Sequence, residues 1–150
     1  MIHSRMFIRS TCIAVCLLAC AYAQESNKRV HSWDVLMNQP GAREAAKKLR
    51  GHCGDAETQD VMNACFALGF KDADERMNTA YRATLRNLDK AERLRVRAAQ
   101  RAWLRYRELH CGAVAALWEG GSLQPTQFFA CNASLTTART KEIQSDYSVP

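Results

Sequence analysis

The feature that most constrains the fold is a pair of long apolar repeats separated by one tight turn. From about residue 57 to 88, and again from 90 to about 118, apolar side chains recur every three or four residues, which predicts two amphipathic helices. Because one or two residues join them, the two helices must fold back as an antiparallel hairpin. The predicted core-facing residues are Met62, Phe66, Phe70, Ala73, Met77, Tyr81, Thr84 and Leu88 in the first helix, and Ala91, Leu94, Ala98, Ala102, Tyr106, Leu109, Ala113 and Leu117 in the second.

Capping residues and helix breakers divide the rest of the chain into further helices. Asp55 or Thr58 is predicted to cap the first long helix and Asp89 the second. A third helix follows the Gly-Gly-Ser stretch at 120–122 and ends near residue 144, and two shorter helical pieces, broken at residues 40–41, lie between 32 and the stop signal at Gly51. No window has the alternation of a strand, so the fold class is all-α. The third helix is predicted to bury Phe128, Cys131, Leu135 and Ala138.

The first 23 residues have the pattern of an export signal. A basic start is followed by an apolar run at 11–21 and by Ala21-Tyr22-Ala23, which is typical of a signal peptidase site. A second interpretation is a bacterial lipobox that ends in Cys20, with Cys20 as the acylated residue. Both interpretations predict export, to the periplasm or the medium in the first and to the outer membrane as a lipoprotein in the second.

Cysteine usage agrees with export. Seven cysteines are present in 150 residues, and removal of residues 1–23 leaves four of them: Cys53, Cys65, Cys111 and Cys131. An even number in a small exported domain indicates disulfides, and four cysteines allow three pairings. Pairing of sequence neighbours would join Cys53 to Cys65 and Cys111 to Cys131, each contributing about 3 kcal/mol in the chain-entropy model. The prediction is one disulfide-stapled helical bundle over residues 53–145, preceded by a lead-in with short helices at 24–52.

Positive charge is concentrated on one side of the second long helix. Without the signal, which contains Arg5 and Arg9, the charge is 19 − 15 = +4. Four arginines, spaced four residues apart, are predicted to form a stripe on one helix face. Few of them have an acid four residues away that could neutralise their charge. Such a stripe is usually a solvated face, and it is also the best candidate in the chain for binding an anionic partner. An exported chain of low net charge is not expected to bind nucleic acid. The stripe consists of Arg93, Arg97, Arg101 and Arg105.

No catalytic or metal-binding motif is apparent. The pairs His52-Cys53 and His110-Cys111 contain zinc-ligating residue types, but they lack the short spacing of a zinc loop, and export favours disulfides. The sequence contains no nucleophile elbow, zinc-protease motif or phosphate-binding loop. We therefore expect a binding protein without cofactor or metal rather than an enzyme, in contact with a membrane only if Cys20 is lipidated.

Several spaced motifs resemble the LprI-like lysozyme-inhibitor domain. The first is Cys53 followed by TQDVMNAC at 58–65, and the second is AQRAWLRYRE at 99–108 with Cys111 after it. The resemblance covers residues 53 to 143, and its combined spacing is hard to obtain by accident. It implies an exported, all-helical bacterial protein that binds and inhibits lysozyme. The other matching residues are Asp74, Asn78, Tyr81, Leu94, Gly121, Ser122, Pro125, Cys131, Leu135, Thr136 and Arg139.

Residues within these motifs have a structural and a functional interpretation. Trp103 and Arg107 are of types enriched at binding hot spots, but they lie between core-facing positions, which favours packing and an ion pair. Gln100 and Asn63 are likewise expected to be hydrogen-bonded inside the bundle.

Two functions remain open at this stage. The first is inhibition of a lysozyme-type hydrolase, either a host lysozyme or a rival's muramidase toxin, by occlusion of its substrate cleft. The second is binding of anionic wall or outer-membrane polymers, including peptidoglycan, without inhibition. Animal lysozymes are strongly basic, so the first hypothesis requires two cationic proteins to meet, with repulsion screened over a Debye length of about 8 Å.

Overall fold

The computed structural model of the chain describes residues 40–147, which contain four α-helices and a short 3-10 helix. The predicted export signal, Cys20 and the first short helical piece lie outside these residues. Within 40–147 there is no strand, which confirms the all-α prediction. The elements are α1 (Pro40–Lys48), the 3-10 helix (Cys53–Asp55), α2 (Gln59–Asn87), α3 (Lys90–Ala116) and α4 (Gln124–Asp146).

The ends of the two long helices follow their capping chemistry. The Thr58 side chain accepts a hydrogen bond from the Val61 N–H, so Thr58 rather than Asp55 caps α2. At α3 the Asp89 carboxylate accepts from the Glu92 N–H at 2.8 Å, and the Glu92 carboxylate accepts from the Asp89 N–H at 2.9 Å. This capping box confirms the predicted cap and starts α3 after only two linking residues, Leu88 and Asp89.

Side chains across the turn confirm the antiparallel hairpin. Arg107 on α3 donates to Asp74 on α2, and Gln100 donates to Met77. Each pair lies nearly symmetrically about the 88–89 turn, as antiparallel helices require. α4 packs against both long helices, most extensively against α2.

Two disulfides join the elements in the neighbour pairing. Cys53–Cys65 ties the 3-10 helix to α2, and Cys111–Cys131 ties α3 to α4. Ala46 of α1 is buried in the same cluster as the first disulfide, so α1 packs against α2. The chain leaves α1 through Gly51 at φ +91°, where glycine avoids the steric penalty that a side chain incurs, and this confirms the predicted stop.

The inward face of α3 differs from the prediction. The eight residues expected in the core are all exposed, among them Leu94 at 59% and Leu117 at 83%. The prediction of that face was wrong because α3 turns inward a side that contains two polar residues, Gln100 and Arg107, and groups on α2 and α4 supply the hydrogen bonds that their burial requires. The inward residues, buried or half-buried, are Val96, Gln100, Trp103, Arg107, Cys111 and Ala115.

A smaller error of the same kind affects α4. Phe128 is buried as predicted, but Ala138 is exposed and its neighbour Arg139 is buried. Polar side chains again occupy the inward face, because each has a partner on another helix or on the backbone of its own helix. The polar residues buried on α4 are Thr126, Asn132, Thr136 and Arg139.

Replacement of Gly69 by alanine is expected to stabilise the protein. Gly69 lies exposed inside α2, and an added Cβ at this position would meet no atom within 4 Å. Alanine is favoured over glycine in a helix interior by about 0.8–1 kcal/mol. We expect Gly69→Ala to raise the free energy of unfolding by about that amount, measured by urea denaturation. An unchanged midpoint would mean that α2 is not a continuous helix in solution.

Candidate functional site

The most recognisable motif of the sequence forms a cluster inside the bundle. The Arg107 Nη1 donates to Asp74 Oδ1 and to Thr136 Oγ1, each at 2.8 Å. The Arg107 guanidinium carbon lies 5.0 Å from the ring centroid of Phe70 and 5.1 Å from that of Trp103. One guanidinium thus contacts α2, α3 and α4 through two hydrogen-bonding partners and two aromatic rings.

A second arginine extends this cluster from α4. Arg139 Nε donates to Gln100 Oε1 at 3.2 Å, and its terminal nitrogens donate to Glu142 at 2.9 Å and to the Tyr147 hydroxyl at 3.4 Å. Its guanidinium carbon lies 5.8 Å from the Trp103 ring centroid. Burial acts to lower the pKa of Arg139, but the hydrogen bonds to Glu142 and Tyr147 outweigh it and raise that pKa. The side chain therefore stays charged at every physiological pH.

Both arginines are directed into the bundle. The Arg107 side chain is 14% exposed, and Arg139 is buried. Among residues 40–147, no buried side-chain nitrogen or oxygen lacks a hydrogen-bond partner. Trp103, Arg107 and Gln100 therefore hold three helices together, and their geometry offers little surface to an enzyme cleft.

Asn63 belongs to a separate polar cluster at the other end of the hairpin. Its Nδ2 donates to the Ser122 carbonyl at 3.3 Å, and its Oδ1 accepts from the Thr126 hydroxyl. Gln59 donates to both Asn63 and Thr126, each at 3.0 Å. These bonds fix the start of α2 against the loop that joins α3 to α4.

The arginine stripe lies exposed on α3, but its members differ in their contacts. Arg93 donates to the Leu88 carbonyl at 2.7 Å, which lies where α2 has ended. Arg105 forms an ion pair with Glu108 at 3.2 Å. Arg97 and Arg101 have no hydrogen bond or ion pair with any other residue in the described part of the chain. Within the stripe, Arg97 and Arg101 are therefore the two arginines whose charge is not already engaged by another group.

A second exposed surface was missed from the sequence, because four of its five residues were assigned to the core. It follows the C-terminal half of α3 and the start of the next loop, and we call it the outer apolar patch. Tyr106 is 51% exposed, with its ring 5.4 Å from that of His110, and Leu117 projects at the helix end. The patch consists of Tyr106, Leu109, Ala113, Leu117 and Trp118.

Residues 40–147 contain no candidate metal site and no candidate membrane span. No group of three or more metal-ligating side chains is close enough to hold an ion, and the sulfurs of both His-Cys pairs are in disulfides. None of the helices in these residues is long and apolar enough to cross a membrane.

Sequence reasoning also missed the partners of the central arginines. Asp74 and Thr136 lie 33 and 29 residues from Arg107 in the chain. The position of Arg107 between core-facing residues predicted an ion pair with an acid, but a periodicity argument does not identify Asp74 or Thr136 as its partners. The one available signal was their position within the spaced motifs.

The chain is similar to known proteins over the region that contains these motifs. The family model described as "Lysozyme inhibitor LprI" matches residues 50–143, which include α2, α3, both disulfides and most of α4. An uncharacterized protein of Rhizobium meliloti (strain 1021) is 32% identical over 112 residues, which cover 66% of this chain and 81% of the relative. No solved structure is a significant match.

Proposed function

Since the chain belongs to the LprI family of lysozyme inhibitors, we propose that it blocks a lysozyme-type peptidoglycan hydrolase by covering the substrate cleft. The match over residues 50–143 is the observation that carries this proposal. The target would be a host lysozyme, or a rival bacterium's muramidase toxin, in which case the protein is an immunity factor. Both encounters require the protein to lie outside the cytosol. It would be in the periplasm, in the medium after secretion, or on the outer membrane through a lipid on Cys20.

The physical basis is a rigid binding surface. These hydrolases cleave sugar chains with two carboxylates in an open groove, so a protein that fills the groove excludes substrate. Nanomolar affinity requires about −12 kcal/mol, which an interface of about 1,600 Å² can supply. Two disulfides and the Arg107 cluster limit the conformational entropy that the inhibitor loses on binding.

A turbidity assay tests inhibition, and steady-state kinetics tests cleft occlusion. Purified protein is added to cell walls with host lysozymes and with bacterial muramidases, and a soluble chitooligosaccharide serves as the second substrate. Cleft occlusion predicts a rise in apparent KM at constant kcat. A fall in kcat at constant KM would contradict occlusion while leaving inhibition in place. Absence of inhibition in every hydrolase class would contradict the function itself.

The arginine stripe supports a second candidate function. Arg97 and Arg101 are exposed without a partner in residues 40–147, so their charge is available. Against a basic animal lysozyme this charge is repulsive. In the cleft of a less basic muramidase, a guanidinium would stabilise the ionised form of the acid that must remain protonated. We propose that the stripe binds anionic partners of this kind, or anionic wall and outer-membrane polymers.

Charge reversal at the middle of the stripe tests the polymer interaction. We expect Arg97→Glu/Arg101→Glu to reduce binding to isolated wall sacculi by at least about 10-fold at low salt, because electrostatic attraction becomes repulsion. Co-sedimentation measures the bound fraction. The control Lys47→Glu/Lys48→Glu makes the same change in net charge on exposed residues of α1. Equal losses in both variants would indicate a net-charge effect and contradict a specific role for the stripe.

A further inference from the structure

We infer that the outer apolar patch is the surface that contacts a positively charged hydrolase, an assignment that rests on the proposed function. The patch runs along one side of α3 from Tyr106 through Leu109 to Leu117, at spacings of three and four residues. Tyr106, Leu109 and Leu117 are 51%, 41% and 83% exposed. Leucine and tyrosine side chains exposed side by side are typical of a protein interaction site.

Hydrogen bonds and a disulfide hold the backbone at the end of the patch. The amide groups of Leu117 and Trp118 donate to carbonyls of the last turn of α3, and the Gly121 amide donates to the Trp118 carbonyl at 3.0 Å. Asn63 anchors the same loop through Ser122, and Cys111–Cys131 crosslinks α3 and α4 beside it. An apolar surface held in this way loses little entropy when it is covered, which favours its use in binding.

The charges at the C-terminal end of the patch favour a cationic partner, whereas at its N-terminal end Arg105 adjoins Tyr106 and pairs with Glu108. No lysine or arginine occurs in residues 108–138 or in residues 51–70, and the Gln59 and Asn63 hydrogen bonds bring these two segments together. The acids that they contribute are exposed, and no ion pair within residues 40–147 neutralises the three at the start of α2. The acids of the two segments are Asp55, Glu57, Asp60, Glu108 and Glu119.

Other occupants fit this surface less well. A second copy of the chain that met this one through the C-terminal ends of the two patches would bring the same acids face to face, which is repulsive. An anionic lipid surface would favour the N-terminal half of α3, which contains Arg97 and Arg101. A basic lysozyme, by contrast, meets acidic groups here, so the electrostatic objection to binding two cationic proteins does not apply at this end of the molecule.

Paired substitutions on α3 test the assignment. Leu109→Lys/Leu117→Lys places two cations in the patch, and the control Leu94→Lys/Leu104→Lys makes the same chemical change at exposed leucines of α3 outside the patch. With a basic animal lysozyme that the unaltered protein inhibits, we expect the patch variant to lose at least about 10-fold in affinity, and the control less than about 3-fold. Circular dichroism verifies that both variants are folded.

The outcomes separate this inference from the proposed function. If the unaltered protein inhibits a basic lysozyme and the patch variant inhibits it equally well, the surface assignment is wrong and the proposed function stands. If the unaltered protein inhibits no hydrolase, the proposed function fails first, and the assignment falls with it. The association rate provides a second readout, because it should fall as salt is raised if acids around the patch attract the enzyme. A rate that rises with salt would overturn the charge argument.

Discussion

Reduction of both disulfides is expected to lower the free energy of unfolding by about 6 kcal/mol, which is the largest single effect that we predict. The bridges close segments with separations of 12 and 20 residues. In the chain-entropy model each restricts the unfolded state by about 3 kcal/mol. Because domains are stable by only about 5–15 kcal/mol in total, this loss is a large fraction of the stability, and a domain at the low end of that range would unfold on reduction. Urea titrations with and without reductant, with thiols counted at each point, measure the difference.

Removing the bridges one at a time separates their roles. Cys111→Ala/Cys131→Ala releases α4 from α3 and should cost about 3 kcal/mol, with Cys111 itself fully buried. Cys53→Ala/Cys65→Ala should cost a similar amount, concentrated where α1 packs against α2. If complete reduction leaves the urea midpoint unchanged, the helical contacts alone stabilise the bundle and the chain-entropy argument is wrong for this protein.

The helix ends could be predicted from sequence because their determinants are local. Thr58, Asp89 and Gly51 each act within a few residues of their own position, through a side-chain cap or a left-handed backbone. The disulfide pairing also followed from nearness in the chain. In each case the interacting groups are close in sequence, so the pattern itself contains the information.

The face of α3 could not be predicted, because the interactions that decide it are distant in sequence. Counting apolar residues favours the side with Leu94 and Leu109, and this side is exposed. The inward side contains Arg107, which is stabilised in the interior only because Asp74, Thr136 and two aromatic rings surround it. A single sequence without a fold does not reveal that those partners exist.

The stripe was affected by a different limitation, because the contacts that engage two of its arginines are local in sequence but lie outside the i±4 pattern. The stripe was predicted from the scarcity of acids at i±4, and two of its four arginines have other partners. Arg93 binds a backbone carbonyl at the hairpin turn, and Arg105 binds Glu108 at i+3. Four of the five residues of the outer apolar patch were assigned to the core for the same reason that α3 was misoriented.

Truncation of Asp74 is expected to be the most damaging change to the polar cluster. Asp74→Ala leaves the Arg107 guanidinium largely buried, with Thr136 as its remaining hydrogen-bonding partner. Removing one partner of a buried ion pair lowers the free energy of unfolding by about 3–5 kcal/mol. Because the Asp74 side chain is 34% exposed and water can reach the site, we expect a smaller loss, of about 2–3 kcal/mol. Urea denaturation measures it.

A matched control lies on the same helix. Asp72 pairs with Arg76, but both side chains are about 60% exposed, so Asp72→Ala should cost less than about 0.5 kcal/mol. Asp74→Asn retains an acceptor for Arg107 while removing the charge, and it should fall between the two alanine variants. Equal effects of Asp72→Ala and Asp74→Ala would mean that water screens both pairs alike. The Arg107 cluster would then be a surface feature in solution, and its residues would again be candidates for contact with the target enzyme.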